Sequence, residues 1–165
     1  MIFKHCPECG AGLSPRVIGD EGEVPFCENC SRHFFSFSYP CVICLVTDGE
    51  GQFALLKQGY VSAHHVCVAG YIKRGETAEE TASREVAEET GLSVESVSYL
   101  RSYYHTRGDN LMLGFVVRVK HGEFRLSGEV DSAGWHSLNE TRELLSHGTV
   151  SRELFRDYEA LSSKK

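Results

Sequence analysis

A cluster of glutamates in the middle of the chain is the part of the sequence best suited to chemistry. Within residues 70–92, GYIKRGETAEETASREVAEETGL, three glutamates follow one another closely: Glu85, Glu88 and Glu89. Side chains three and four residues apart share one face of a helix, so these carboxylates would be neighbours. Clustered carboxylates supply the oxygen ligands that Mg²⁺ and Mn²⁺ prefer. The alternative is a solvated acidic face, in which each like-charged pair costs only about 0.2–0.5 kcal/mol.

Four cysteines near the start of the chain suggest a second metal. They form two CxxC pairs, Cys6 with Cys9 and Cys27 with Cys30. Zinc takes four tetrahedral thiolates, and two such pairs supply them while leaving no open position for catalysis. The surrounding segment has too few apolar residues for a core, so a structural zinc ion would stabilise it. The alternatives are four unrelated buried thiols or a redox-active pair.

A third CxxC, formed by Cys41 and Cys44, has a different interpretation. It lies within the strand-like run CVICLV. Residues three apart in a strand point to opposite faces of the sheet, so these two thiols cannot easily share one metal ion. We therefore predict that both, like Cys67, are small core residues.

The acidic stretch carries the signals of a helix that would hold the glutamates in place. Thr77 and Glu80 form a capping box, and Gly91 suits a left-handed C-cap, which predicts a helix over roughly 78–90. Arg84 lies between the preceding loop and the glutamates. We expect it to pair with Glu76 and so fix the loop, in which glycine lets the backbone approach a ligand closely.

The remaining pattern, from position 41 onward, is that of a mixed α and β domain. Alternating and apolar runs separated by turn residues predict strands over 41–48, 52–58, 66–70, 93–105, 111–120 and 133–137. Helices are predicted over 137–147 and 151–163. The adjacent histidines His64 and His65 are predicted to lie on a solvated loop.

Composition limits where the protein works and what it binds. The chain of 165 residues has no apolar run of membrane-spanning length, and its start lacks the pattern of a secretory signal. The seven cysteines are an odd number, which does not suit a full set of disulfides. Together, these features predict a cytoplasmic protein in a reducing compartment, without a membrane partner. The net charge of −6 argues against a dominant grip on nucleic acid but leaves a specific role open.

Residues 70–92 resemble the Nudix box of the Nudix hydrolases at every defined position. The matching residues are Gly70, Glu76, Arg84, Glu85, Val86, Glu88, Glu89, Gly91 and Leu92. The resemblance implies an α+β fold, in which residues 40–162 form the Nudix α/β/α sandwich. Residues 1–32 would be a zinc ribbon, and residues 33–39 a linker.

The resemblance also implies a reaction. Nudix enzymes use Mg²⁺ or Mn²⁺ to hydrolyse a nucleoside diphosphate linked to another group. Glu85, Glu88 and Glu89 would bind the metal, helped by a backbone carbonyl of Ala69 or Gly70. Arg84 and Glu76 belong to the same catalytic box. A box glutamate, or Glu129 just before DSAGW, would take the proton of the attacking water.

A zinc ribbon ahead of a Nudix domain is similar to the NADH pyrophosphatase group, some of whose members remove NAD caps from RNA. In the region where that group carries a proline-rich motif, this chain reads RSYYHTRGDNLML. The substrate classes implied are therefore NADH or NAD, ADP-ribose, or a similar dinucleotide. Cap removal and a non-catalytic metabolite sensor remain alternatives, and the family resemblance allows a homodimer.

Exposed aromatic residues are the candidates for contact with a nucleotide substrate, by stacking or hydrogen bonding. The predicted substrate-binding residues are Phe35, Tyr71, Tyr103 and Tyr104. For each, the alternative is a packing role. The tyrosines of the predicted strand at 93–105 alternate with polar residues, which is also the pattern of simple sheet packing.

Overall fold

The structure, a computed structural model, describes residues 3–60 and 62–163. The chain divides into two compact units, Met1–Ser38 and Tyr39–Lys165. Within the described chain, no helix combines the length and the apolar character needed to cross a membrane.

The first unit is a small antiparallel sheet with a cysteine-bearing turn ahead of it. Its three strands, in the order β1-β2-β3, are β1 Ser14–Val17, β2 Glu23–Cys27 and β3 Arg32–His33. Gly10 has a φ of 74°, and its N–H donates to the carbonyl of Cys6 at 2.9 Å. That left-handed backbone favours glycine directly after the first CxxC pair, where the sequence places it.

The second unit is built on a seven-stranded sheet. The strands are β4 Tyr39–Thr47, β5 Gln52–Gln58, β6 Ser62–Val66, β7 Val68–Tyr71, β8 Val94–His105, β9 Asn110–Val119 and β10 Ser132–Ser137. The helices are α1 Ala78–Thr90, α2 Leu138–Leu144 and α3 Val150–Ser162. The order is β10-β5-β4-β9-β8, with β6 beside β5 and β7 beside β4. β4 and β9 run parallel, and the other strand pairs of this sheet are antiparallel.

Helices cover both faces of this sheet. On one face, Ala82 and Val86 of α1 pack against a core that includes Val42 and Cys44 of β4. On the other face, α3 contributes Leu154 and Phe155 to a second core, together with Ile43 and Leu45. Because β4 is buried on both faces, its side chains read as one continuous apolar run. The predicted α+β class and α/β/α sandwich are confirmed.

The three cysteines beyond the N-terminal group are buried, as predicted. Cys41 is buried, Cys44 belongs to the core under α1, and Cys67 belongs to the core under α3. Burial raises the pKa of the Cys41 thiol to about 11 and that of Cys67 to about 12. These thiols are therefore protonated and unreactive at neutral pH.

The region between β5 and β7 differs from its prediction. His64 and His65 lie in strand β6, so the predicted loop is wrong. The strand pairs with the preceding strand β5 through Leu56 and Val66, and this hairpin pairing overrides the polar local sequence. The strand predicted over 66–70 is interrupted at Cys67, whose N–H donates to the Ser151 hydroxyl at 3.2 Å instead of to a neighbouring strand.

Candidate active site

Helix α1 carries the glutamates, and its two ends are held by local hydrogen bonds. The Thr77 hydroxyl accepts from the N–H of Glu80 at 3.2 Å, and the Glu80 carboxylate accepts from the N–H of Thr77 at 2.8 Å. At the other end, Gly91 has a φ of 71° and donates its N–H to the carbonyl of Ala87. The predicted helix and both of its caps are confirmed.

The pairing of Arg84 with Glu76, expected from the sequence, joins the helix to the loop before it. Nε and Nη2 of Arg84 donate to the two oxygens of Glu76 at 2.7 and 2.9 Å. Glu76 also accepts from the N–H of Lys73 and from the hydroxyl of Thr81. The Arg84 hydrogen bond, followed by these donors, holds the pKa of Glu76 at about 2. The ionised pair therefore persists at neutral pH and fixes the loop.

Arg84 also contacts two of the candidate ligands. Its Nη1 donates to Glu85 at 2.6 Å and to Glu88 at 3.0 Å. Among residues 3–60 and 62–163, no three carboxylates of this cluster have oxygen atoms all within 4.8 Å of one another. The arginine holds the carboxylates in place through hydrogen bonds that a cation would have to share.

Glu89 is the buried member of the cluster. Only 5% of its surface is exposed, and its Oε1 accepts a hydrogen bond from Gln58 at 3.4 Å. Its Oε2 is buried and has no hydrogen-bond partner within the described residues. Burial, then the charge of Glu85 and those of Glu129 and Glu88, raise the pKa of Glu89 to about 7. An unpartnered buried carboxylate oxygen is costly, and a divalent cation is a group that would satisfy it.

Gly70 lets the cluster approach the sheet. A Cβ at this position would lie 2.1 Å from Cδ and Oε1 of Glu85, so any larger residue would displace that carboxylate. Gly70 pairs with Val42 of β4, while Ala69 is its neighbour in β7. The backbone predicted to assist metal binding therefore lies directly against one of the predicted carboxylate ligands.

Glu129, forty residues after Glu89 in the sequence, lies on a loop that contacts α1. It is exposed on the loop before β10, where its N–H donates to the Ser127 hydroxyl at 3.4 Å. Its negative charge contributes to the raised pKa of Glu89. The loop that carries Glu129 contacts α1, because the N–H of Ser127 donates to the carbonyl of Glu89 at 3.4 Å.

Two residues that sequence reasoning missed, Gln58 and Tyr60, complete one side of the cluster. Gln58 is buried at the end of β5 and donates to Glu89, while Tyr60, two residues later, is 72% exposed. Burial, followed by the charges of Glu129 and Glu89, raises the pKa of Tyr60. The sequence signal that could have pointed to Gln58 is its position as a polar residue at the end of the strand-like run FALLKQ.

The predicted substrate-binding aromatics fall into different environments. Tyr71 is exposed, with the ring of Tyr39 edge-on to it at 6.1 Å, and Tyr104 is exposed with its hydroxyl donating to Asp109. Phe35 is exposed on the first unit.

Tyr103 is placed differently from its prediction. It is only 8% exposed, lies in the core under α3, and donates its hydroxyl to Asp157 at 3.0 Å. A side chain buried on this face and hydrogen-bonded to α3 packs the core, which argues against the substrate role predicted for it.

The four N-terminal cysteines form a compact group. The sulfur atoms of Cys6, Cys9, Cys27 and Cys30 all lie within 4.8 Å of one another. The closest recorded pairs are Cys6 with Cys30 at 3.9 Å and Cys9 with Cys27 at 3.6 Å. Four converging thiols with two of them buried fit a tetrahedral zinc site.

A family comparison accounts for the second unit. The model of the NUDIX domain matches residues 38–158. The chain belongs to the NUDIX family. That match covers α1, its preceding loop and the Glu129 loop, so the resemblance seen in residues 70–92 is confirmed.

Named relatives extend the comparison. The chain is 33% identical over 153 residues to Nudix hydrolase 19, chloroplastic, of Arabidopsis thaliana, covering 88% of this chain and 35% of that protein. It is 29% identical over 161 residues to the NAD-capped RNA hydrolase NudC of Pseudomonas aeruginosa, covering 97% of this chain and 57% of that one. The chain thus spans well under two thirds of the length of these relatives.

A solved structure supports the fold assignment. A NUDIX hydrolase from Nitrosomonas europaea superimposes with a TM-score of 0.77, covering 99% of this chain and 92% of that one, at 18% identity. At that identity the likeness establishes the shared fold, and the chemistry must be argued from the residues of this chain.

Proposed function

We propose that the protein is a Mg²⁺- or Mn²⁺-dependent diphosphatase that hydrolyses a nucleoside diphosphate linked to another group. The products would be a nucleoside monophosphate and a second phosphorylated compound. The observation that carries the proposal is the buried, unpartnered oxygen of Glu89, set among Glu85, Glu88 and Glu129. A carboxylate kept in such a costly position suits a metal-dependent active site.

Glu85, Glu88 and Glu89 would hold the metal, with the carbonyl of Ala69 or Gly70 as a backbone ligand. A bound divalent ion neutralises the charge of a diphosphate and lowers the pKa of a bound water. These residues are hard oxygen donors, which match Mg²⁺ and Mn²⁺ better than softer metals.

The other residues of the site position these groups and move a proton. Arg84, anchored by Glu76, orients Glu85 and Glu88 through the hydrogen bonds of its Nη1. A carboxylate oxygen of Glu129, or of a box glutamate, accepts the proton of the attacking water. Glu129 is exposed on the loop that contacts α1 at the Glu89 carbonyl, and this exposure gives it access to water.

The substrate class within this proposal is a dinucleotide or related compound: NADH, NAD or ADP-ribose. The named relative NudC, an NAD-capped RNA hydrolase, supports an NAD-like group. Tyr71 and Tyr104 are exposed aromatics of the second unit available to contact the base or the nicotinamide. Phe35, exposed on the first unit, stays a prediction. The chain carries a net charge of −6, which would repel a free anionic nucleotide. A nucleotide that binds together with a divalent cation carries less negative charge and suits this protein better.

The cysteine cluster completes the proposal as a structural zinc site. Residues 1–32 would form the zinc ribbon, and residues 40–162 the hydrolase domain. Cys6, Cys9, Cys27 and Cys30 would fill all four positions around the ion, which leaves it no catalytic role.

The test is product analysis with Mg²⁺ or Mn²⁺ and a panel of NADH, NAD, ADP-ribose, FAD, diadenosine polyphosphates, nucleoside triphosphates and UDP-sugars. Chromatography identifies the substrate and the bond cleaved. We expect Glu88→Gln and Glu89→Gln to lower kcat/KM by about 100-fold or more, because each removes a charged metal ligand. Glu79→Gln, on an exposed position of the same helix, is the matched control. Full turnover by a folded Glu89→Gln protein would refute the metal assignment.

A second candidate is removal of NAD caps from RNA, favoured by the likeness to NudC, an NAD-capped RNA hydrolase. Binding of an RNA strand through phosphate contacts would weaken steeply with salt. A gel-shift titration against salt, using NAD-capped and triphosphorylated RNA of the same sequence, separates the two. A flat salt dependence, or cleavage of free NADH alone, would leave the small-molecule function. Tight metabolite binding without turnover would indicate a sensor.

A further inference from the structure

The turn after β5 places a tyrosine at the carboxylate cluster. Gln58, the last residue of β5, donates from its buried amide to Glu89. Tyr60 lies two residues further on. It belongs to the turn that leaves the end of β5, where Gln58 contacts Glu89.

This turn is tied to the loop that carries Glu129. The N–H of Gly59 donates to Oδ2 of Asp131 at 2.6 Å, and the N–H of Asp131 donates to the carbonyl of Lys57 at 2.9 Å. These two bonds join residues more than seventy positions apart. They fix the backbone next to Tyr60 against that loop, although Tyr60 itself is 72% exposed.

The surroundings of the Tyr60 hydroxyl are acidic. Partial burial, then the charges of Glu129, Glu89, Asp131 and Glu85, raise its pKa. The phenol is therefore protonated at neutral pH and can donate a hydrogen bond. Within the described residues, no group accepts a hydrogen bond from it, whereas the amide of Gln58 is already engaged by Glu89.

We propose that Tyr60 is a substrate-positioning residue whose hydroxyl donates a hydrogen bond to a phosphate oxygen of the diphosphate. The oxygens of an ionised diphosphate accept hydrogen bonds and cannot donate them. Ionised carboxylates also only accept, so the hydrogen-bond donors to the diphosphate must come from other residues of the site. Tyr60 is a neutral donor on the exposed side of this cluster. The inference rests on the proposed diphosphatase function, because it is that reaction which brings a diphosphate to Glu89.

Two variants separate the hydroxyl from the ring. Tyr60→Phe removes only the donor, and Tyr60→Ala removes the side chain; at so exposed a position, neither is expected to change the fold. We expect both to raise KM about tenfold, the range for a lost hydrogen bond to a charged group, with kcat within about twofold because the bond serves binding and reaction alike. Thermal melting of each variant should match that of the unmodified protein.

Tyr99→Phe is the matched control. Tyr99 is likewise exposed, but it lies on β8 with its ring against Phe115. Three strand spacings, about 14 Å, separate β8 from β5 across the sheet. Its KM and kcat should be those of the unmodified protein.

Equilibrium binding of α,β-methylene-ADP with Mg²⁺, measured by calorimetry, provides a readout that does not depend on turnover. We expect about tenfold weaker binding by Tyr60→Phe than by the unmodified protein. Unchanged KM and binding in Tyr60→Phe would overturn the inference, as would a defect seen only in Tyr60→Ala, which would assign the contact to the ring. If the unmodified protein binds the analogue but cleaves no substrate, the diphosphatase proposal fails while the Tyr60 contact is still decided by binding. If it neither binds nor cleaves, both fail.

Discussion

Replacing Glu89 by glutamine should stabilise the protein while removing its activity. The carboxyl group is 5% exposed, and its pKa in the folded protein is about 7, compared with 4.5 for an unperturbed glutamate. The folded state therefore binds this proton more tightly than the unfolded chain does. Its stabilising contribution is fully present below about pH 4.5 and is lost as the pH rises through about 7.

The size of the effect follows from the same two values. The difference between a pKa of 4.5 and one of about 7 corresponds to about 3 kcal/mol of unfolding free energy at about 1.4 kcal/mol per pH unit. Glutamine cannot ionise. The unfolding free energy of Glu89→Gln should therefore be larger than that of the unmodified protein by about 3 kcal/mol near pH 8, and by much less near pH 4.5.

Urea unfolding in buffers without added Mg²⁺ or Mn²⁺ measures the difference across this pH range. Glu79→Gln, an exposed glutamate in the first turn of α1, is the control, and its stability should change by no more than about 0.5 kcal/mol. Adding Mg²⁺ should then stabilise the unmodified protein more than Glu89→Gln, because binding to the folded state shifts unfolding. A gain in stability that is equal at every pH, or no gain near pH 8, would refute the argument that ionised Glu89 is buried at a cost.

Three further outcomes follow from the fold and the site. Gly70→Ala should lower kcat/KM by about 100-fold or more, since its Cβ would occupy the place of the Glu85 carboxylate; steady-state kinetics and an unchanged zinc content check this. Cys9→Ala should remove bound zinc, measured by elemental analysis, whereas Cys41→Ala should retain it, because only the former lies in the sulfur cluster. Tyr103→Phe should cost about 1 kcal/mol in urea unfolding, through the lost hydrogen bond to α3, and leave KM unchanged; a raised KM would restore its substrate role.

The parts of the site that could be predicted are those with local causes. The bounds of α1 follow from a capping box at Thr77 and a left-handed glycine at Gly91, both of which act within a few residues. The pairing of Arg84 with Glu76 is similarly short in sequence, and the helical period brings the glutamates together.

The parts that could not be predicted depend on contacts between distant residues. Gln58 reaches Glu89 only because β5 ends beside α1. The turn of Tyr60 meets the loop of Glu129 through the hydrogen bond from Gly59 to Asp131, residues far apart in the chain. Strand alternation separates Tyr103 from Tyr104, yet it cannot tell which of the two faces α3. Strand β6 is a different case, because its partner β5 is its neighbour in the chain; its polar sequence lacks the apolar alternation that predicts a strand.

The parallel pairing of β4 with β9 affects how the protein must fold during synthesis. β4 is apolar on both faces, and one of its neighbours in the sheet, β9, comes after α1 and β8 in the chain. Until Asn110–Val119 has left the ribosome, this strand lacks that partner and offers an unpaired apolar edge to other nascent chains. Chains halted before Asn110 should consequently depend on chaperones and aggregate, whereas completed chains close the sheet and fold slowly, at the rate set by this long-range pairing.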